Sequence, residues 1–248
     1  MRLLLLNPNT TEALTERMAS VARGIAAETT VIDAITAPRG LPYIATRAEA
    51  VIGGAIALEM LADLSAPYDA VIMAAFGDPA LNAARELLSV PVVGLAEASI
   101  LTACMLGRRF SIVTFSANLA PWFEECVAAN GMGGRLASLR VARQAFSDID
   151  LVQAEMTAAL VEAATLAARE DGAEVIILGG APLAGLARRV APLLPVPVID
   201  SVEAATRMAE TLALLKPRKA EIGSFRLPDG KPTVGLPAAL ASLLGGGG

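Results

Sequence analysis

The sequence predicts an α/β protein built as two pseudo-symmetric lobes with parallel sheets and a cleft between them. Three observations carry this. Apolar runs of strand length alternate with alanine-rich helical stretches along most of the chain. One strand–turn–helix–strand stretch occurs twice. Hydrophobic residues make up 54% of the chain against 18% charged, which suits strands buried on both faces.

In order along the chain, residues 2–6 read as a doubly buried strand, cut off by Asn7-Pro8-Asn9. Thr10 or Thr11 caps a helix to about Ala26, where T-E-A-L-T-E-R-M has the helical period. Residues 30–34 form a second strand, and Pro38, Gly40 and Pro42 mark a loop. A helix over 47–64 leads to a strand at 70–74, and Pro79 starts the turn into a short helix ending near Leu88. Strands follow at 92–94, 110–114, 137–141, 175–178 and 198–199. Helices fall at 97–106, 121–130, 148–171 (the longest) and 202–215. Beyond Leu215 the composition shifts to Lys, Pro and Gly, which predicts a partly mobile appendage over 216–248.

Composition excludes several chemistries. The 248 residues hold 20 Lys plus Arg against 25 Asp plus Glu, net −5, so nucleic acid is not the expected partner. There is no histidine, which removes a Ser-His triad, a histidine base and histidine metal sites. Cys104 and Cys126 are the two cysteines and form no C-x-x-C pair, so neither a disulfide scaffold nor a zinc ribbon is expected. Both lie in apolar helical contexts that read as packing positions. Acid–base work falls to carboxylates, Tyr, Lys, Arg, Cys or backbone groups. The opening MRLLLLNPNT is too short for a signal peptide, and no run of roughly 20 apolar residues is free of charges or turns. A cytoplasmic protein without a membrane partner is expected, and its apolar helices suggest a homo-oligomer.

The repeat places the site. Asp69–Ala98 and Ala173–Ala204 share the same plan. Val71 aligns with Ile176 and Ala75 with Gly180; after one inserted residue, Pro91 aligns with Pro197 and Glu97 with Glu203. Ligands of parallel sheets bind beyond the carboxyl ends of strands. Those ends are the turns 74–78 and 178–182, facing each other if a pseudo-twofold axis relates the lobes. A flat substrate between them is reached from both faces, which suits moving a proton at one carbon. The alternative is that the turns are small only because helices pack closely there.

The motifs Leu5-Leu6-Asn7-Pro8-Asn9-Thr10, Phe76-Gly77-Asp78-Pro79, Pro91-Val92-Val93-Gly94 and Ala96-Glu97-Ala98 are joined by F-S-I-V-T over 110–114. Asp171-Gly172-Ala173, Leu178-Gly179, Pro197-Val198-Ile199-Asp200 and Glu203-Ala204 complete the set. Across roughly residues 1–215 the chain resembles the aspartate/glutamate/hydantoin racemase superfamily, especially its hydantoin and allantoin racemase branch. The resemblance implies two Rossmann-like lobes, 1–95 plus 201–215 and 96–200, with the site between them and no cofactor or metal. It also implies a cysteine at each strand end. Here those positions are Ala75 and Gly180, which carry no proton-transferring group.

Candidate substitutes are Asp78 and Glu97, each either a base or a structural group at a helix start, with Glu203 and Asp200 as comparable carboxylates. For substrate binding the candidates are Asn9 and Thr10 at the first helix start, and the turn residues Phe76, Gly77, Gly179, Ala181 and Pro182. Thr114 and Ser116 lie at a strand end, Tyr43 is placed as a lid or an acid, and Arg39 as a partner for an anion. The turn amides would stabilise an enolate. The expected function is a cofactor-independent enzyme acting beside the carbonyl of a small hydantoin-like amide, imide or carboxylate. The alternatives are a repurposed lyase or decarboxylase, and a non-catalytic small-ligand-binding protein.

Overall fold

A computed structural model describes residues 1–245. The first sheet takes its strands from β1 (Arg2–Asn7), β2 (Val31–Thr36), β3 (Ala70–Met73) and β4 (Val92–Gly94). Helices α1 (Glu12–Ile25), α2 (Arg47–Ala62) and α3 (Leu81–Leu87) connect them. The second sheet uses β5 (Phe110–Thr114), β6 (Leu136–Val141), β7 (Val175–Leu178) and β8 (Val198–Asp200). It is preceded by α4 (Leu95–Leu106) and connected by α5 (Ala120–Ala129), α6 (Val152–Glu170) and α7 (Leu186–Val190). Helices α8 (Ser201–Leu215) and α9 (Ala238–Leu244) follow.

Both sheets are parallel and share one topology: β2-β1-β3-β4 and β6-β5-β7-β8. The register repeats as well, Val71 opposite Val92 in one sheet and Ile176 opposite Val198 in the other. The central strands are apolar throughout because both faces are covered. Leu3 to Leu6 are fully buried, as are Val175 to Ile177. Each such leucine contributes about 2 kcal/mol by leaving water. On α1, Leu14, Met18 and Ala22 form a buried stripe at helical spacing.

The helices after β4 and β8 change lobes. Helix α4 packs on β7 and β8, and α8 packs on β3, β4 and α1, with α4 and α8 against each other. One core cluster therefore runs from Leu3 and Ile72 through Leu95 and Val202 to Ile112 and Ile177. A second lies behind the first sheet, under α2 and α3, around Leu4, Leu6 and Met73.

The tail is attached to the first lobe at several points over its described part. Lys219 Nζ donates to the carbonyls of Arg85, Glu86 and Leu88, where α3 runs out of its own amides. Arg85 lies 6.0 Å from the ring centroid of Phe225, and α9 packs on α2 with Leu240 buried. Gly246 to Gly248, also assigned to the tail, lie outside the described residues. One expectation, the start of the longest helix, needs correction. Asp148 caps a 3-10 turn first, accepting from the Asp150 amide at 2.9 Å, and α6 starts at Val152. The span Ile149–Glu170 is long and apolar enough to cross a membrane by length and composition, but it is not free of charges, since it carries Asp150, Glu155 and Glu162. Here α6 packs along β5, β6 and β7.

Candidate functional site

After β3 the chain makes a tight turn. Gly77 has φ 118°, Asp78 51° and Ala80 60°, all left-handed. This carries the Asp78 carboxylate beneath Gly94, where it accepts from the amides of Ala96 at 2.9 Å and Glu97 at 2.8 Å. A Cβ at Gly94 would fall on that carboxylate, so glycine there opens its path. Asp78 is thus the cap of α4, not of the helix that begins after Pro79. Helix α4 consequently starts at Leu95, two residues before the expected Glu97.

The second lobe reaches the same result differently. Asp200, at the end of β8, accepts from Val202 at 3.0 Å and Glu203 at 3.3 Å, and also from the Gly185 amide at 2.5 Å. The other repeated carboxylates are paired: Glu97 with the two terminal guanidinium nitrogens of Arg85, Glu203 with Arg188. These four carboxylates hold the turns and helix starts in place. Arg39 is likewise engaged, with Glu59 at 2.5 Å.

Burial raises the carboxyl pKa of Asp78 to about 7, its two amide bonds opposing the shift. Burial also lifts Asp200 to about 6. A raised acid holds its proton in the folded protein after the unfolded chain has lost it. That stabilisation is full below about pH 4 and is lost as pH rises through about 7 for Asp78 and about 6 for Asp200. Asp78→Asn is therefore expected to lose at least ~1.4 kcal/mol less stability than the parent between pH 4.5 and 7.5. Urea titrations at both pH values check this; equal losses would contradict it.

The turn after β7 uses glycine where the first uses alanine. Gly180 has φ 127° and ψ 132°, a conformation open to glycine, while Ala75 has no positive φ. The following 3-10 turn buries Ala181, Pro182 and Leu183. Pro182 O accepts from Gln153 at 2.9 Å and from Arg17 of α1 at 3.2 Å, which ties the lobes together. Four backbone amides in the two turns, those of Phe76, Gly77, Gly180 and Ala181, meet no acceptor among the described residues.

Aromatic rings join the turns. Phe123, on α5, packs edge-on to Phe76 with centroids 4.6 Å apart, and a Cβ at Gly179 would lie 3.1 Å from its ring. Trp122 covers Gly77. Cys126 Sγ lies 3.7 Å from Gly77 O, and burial pushes its thiol up to about 12, so it stays protonated. On the other side Phe115 stands against Gly180 and meets Tyr43 of the first lobe at 6.2 Å and Phe146 at 5.6 Å. Burial, then Glu49, raises the Tyr43 hydroxyl above its ordinary pKa, which weakens it as an acid. Thr114 Oγ1 is fully buried and has no hydrogen-bond partner among the described residues. Ser116 is half-buried beside it.

The first helix starts after one of the two residues expected to cap it. The N-cap of α1 is Thr11, without a side-chain cap bond. Asn9 Oδ1 takes the Thr11 amide at 3.0 Å and the Asn7 amide group at 3.0 Å, so its oxygen is committed locally. The Thr10 amide goes to Leu41 O at 2.9 Å, and Thr11 Oγ1 to Pro42 O at 2.6 Å. Together they pin the loop that carries Tyr43.

The structure thus brings Phe76, Gly77, Gly179, Gly180 and Tyr43 together through shared rings. It leaves Thr10 and Asn9 as anchors of the adjoining loop and Asp78 and Glu97 as scaffold. Sequence reasoning missed Phe115, Phe123 and Arg17 as site neighbours. The placement of Phe115 directly after Thr114 was the available signal; Arg17 gave none. Among the described residues no three His, Cys, Asp or Glu side chains gather as metal ligands.

Residues 3–209 match the family model for Asp/Glu/Hydantoin racemase. A hydantoin racemase from Paenarthrobacter aurescens is 38% identical over 236 residues, covering 93% of this chain and 99% of that one. The allantoin racemase of Pseudomonas fluorescens superposes with a TM-score of 0.87 at 35% identity, over 95% of this chain and 100% of that one. Allantoin racemase from Klebsiella pneumoniae gives 0.90 at 33%, over 97% and 98%. A family match across both lobes, with relatives aligned nearly end to end, establishes that the chain belongs to the Asp/Glu/hydantoin racemase family.

Proposed function

We propose that this chain is a cofactor-independent enzyme acting at the carbon beside a carbonyl of a small hydantoin-like amide, imide or carboxylate. The observation that carries the reading is the set of four turn amides without acceptors, two from each lobe, at Phe76, Gly77, Gly180 and Ala181. Such amides stabilise the oxyanion of an enolate without reorganising. Thr114 Oγ1 adds a buried hydroxyl able to meet a ring N–H or carbonyl.

The family resemblance places the two thiols at Ala75 and Gly180, whose methyl and hydrogen carry no transferable proton, and this argues against the two-thiol route. The nearby carboxylates are engaged by amides or arginines. The proton on carbon therefore passes to a water molecule or hydroxide. The enolate, held by the turn amides, takes a proton back from water at the same carbon. The second reading, a non-catalytic small-ligand-binding protein, is favoured by that same commitment of every nearby carboxylate.

Solvent exchange decides between them. The protein is incubated with 5-methylhydantoin in D2O, and loss of the ring C–H signal is followed by NMR against a protein-free control. Exchange faster than the control supports the enzyme. A ligand-induced rise in melting temperature at control exchange supports the binding protein, and neither effect overturns both readings.

A further inference from the structure

We propose that Phe115 sets the size of ligand the cleft accepts, so that the preferred hydantoin-like ring carries hydrogen or methyl beside its carbonyl and excludes a benzyl group. This rests on the reading that the cleft takes such a ring.

The argument starts at Gly180. An ideal Cβ there would lie 2.7 Å from Phe115 Cε1 and 3.6 Å from Cδ1 and Cζ. The ring edge of Phe115 therefore occupies the space that any side chain at residue 180 would use. The ring is itself 3% exposed. Three segments hold it: β5, which ends one residue before it; the loop carrying Tyr43, at 6.2 Å; and the segment carrying Phe146, edge-on at 5.6 Å. Such edge-on and tilted pairs resist displacement.

The geometry combines two opposed features at one strand end. Gly180 gives up its side chain and leaves its amide and that of Ala181 without acceptors, which suits a small polar atom. The volume thereby released is filled by Phe115 rather than left open. A planar ring can bring its oxygen to those amides, but a bulky substituent on the adjacent carbon must displace a ring wedged among two others. Rejection here is steric, and it is removed by trimming one residue.

The test compares affinities by isothermal titration calorimetry for hydantoin, 5-methylhydantoin and 5-benzylhydantoin. The parent protein is expected to bind the first two at least tenfold more tightly than the third. In Phe115→Ala the benzyl compound is expected to gain at least tenfold while hydantoin changes less than threefold. Phe115→Leu, which keeps most of the packing, is expected to fall between them and serves if the alanine variant does not fold. An unchanged benzyl-to-hydantoin ratio in both variants, or a parent that binds the benzyl compound as tightly as hydantoin, overturns the proposal. Parent and variants that bind none of the three overturn the functional reading as well, which separates that failure from a failure of the size limit alone.

Discussion

Gly180→Ala is expected to lower the free energy of unfolding by about 3 kcal/mol, measured by urea titration. Two causes add. A backbone at φ 127° and ψ 132° is costly for any residue with a Cβ, on the order of 1–3 kcal/mol. The new methyl would also sit 2.7 Å from Phe115, and overpacking of this kind costs about 1–3 kcal/mol. The causes separate in a double variant. Phe115→Leu combined with Gly180→Ala should recover the packing part and leave the backbone part, giving a coupling of about 1 kcal/mol. Strict additivity would mean that the ring does not press on residue 180. The same geometry opposes a cysteine. Racemase activity restored by Ala75→Cys with Gly180→Cys is therefore expected only once Phe115 has been trimmed.

Phe123→Ala is the second large effect. The ring is 1% exposed and lies against Phe76 on one side and the Gly179 backbone on the other. Removing a buried phenylalanine costs about 3–5 kcal/mol through lost transfer energy and the cavity left behind. Because the ring touches both turns, Phe123→Ala should also weaken ligand binding in whatever protein remains folded. A loss under 1 kcal/mol would show that the lobes meet without it.

The strands were legible because their signal is local. Runs such as Leu3 to Leu6 and Val175 to Leu178 announce burial within a few residues, and the repeated stretch announced a second copy of the sheet. What escaped was partnership at a distance. Asp78 reads as a cap for the helix just after it, yet its acceptors serve amides 18 and 19 residues later, reached only because Gly94 lacks a side chain. Lys219 binds carbonyls more than 130 residues earlier in the chain. No period or composition encodes such contacts. The site divides along the same line: its turns were readable from the repeat, whereas the pressure of Phe115 on Gly180 emerges only when β5 and β7 lie side by side.

The crossing of α4 and α8 between the sheets has a thermodynamic corollary. Each half of the chain lends the other a cover for its apolar face, so neither half is a self-sufficient folding unit. Melting should accordingly be a single cooperative event, and any opening of the cleft must be a rocking about the α4–α8 pair, whose shared interface acts as the pivot.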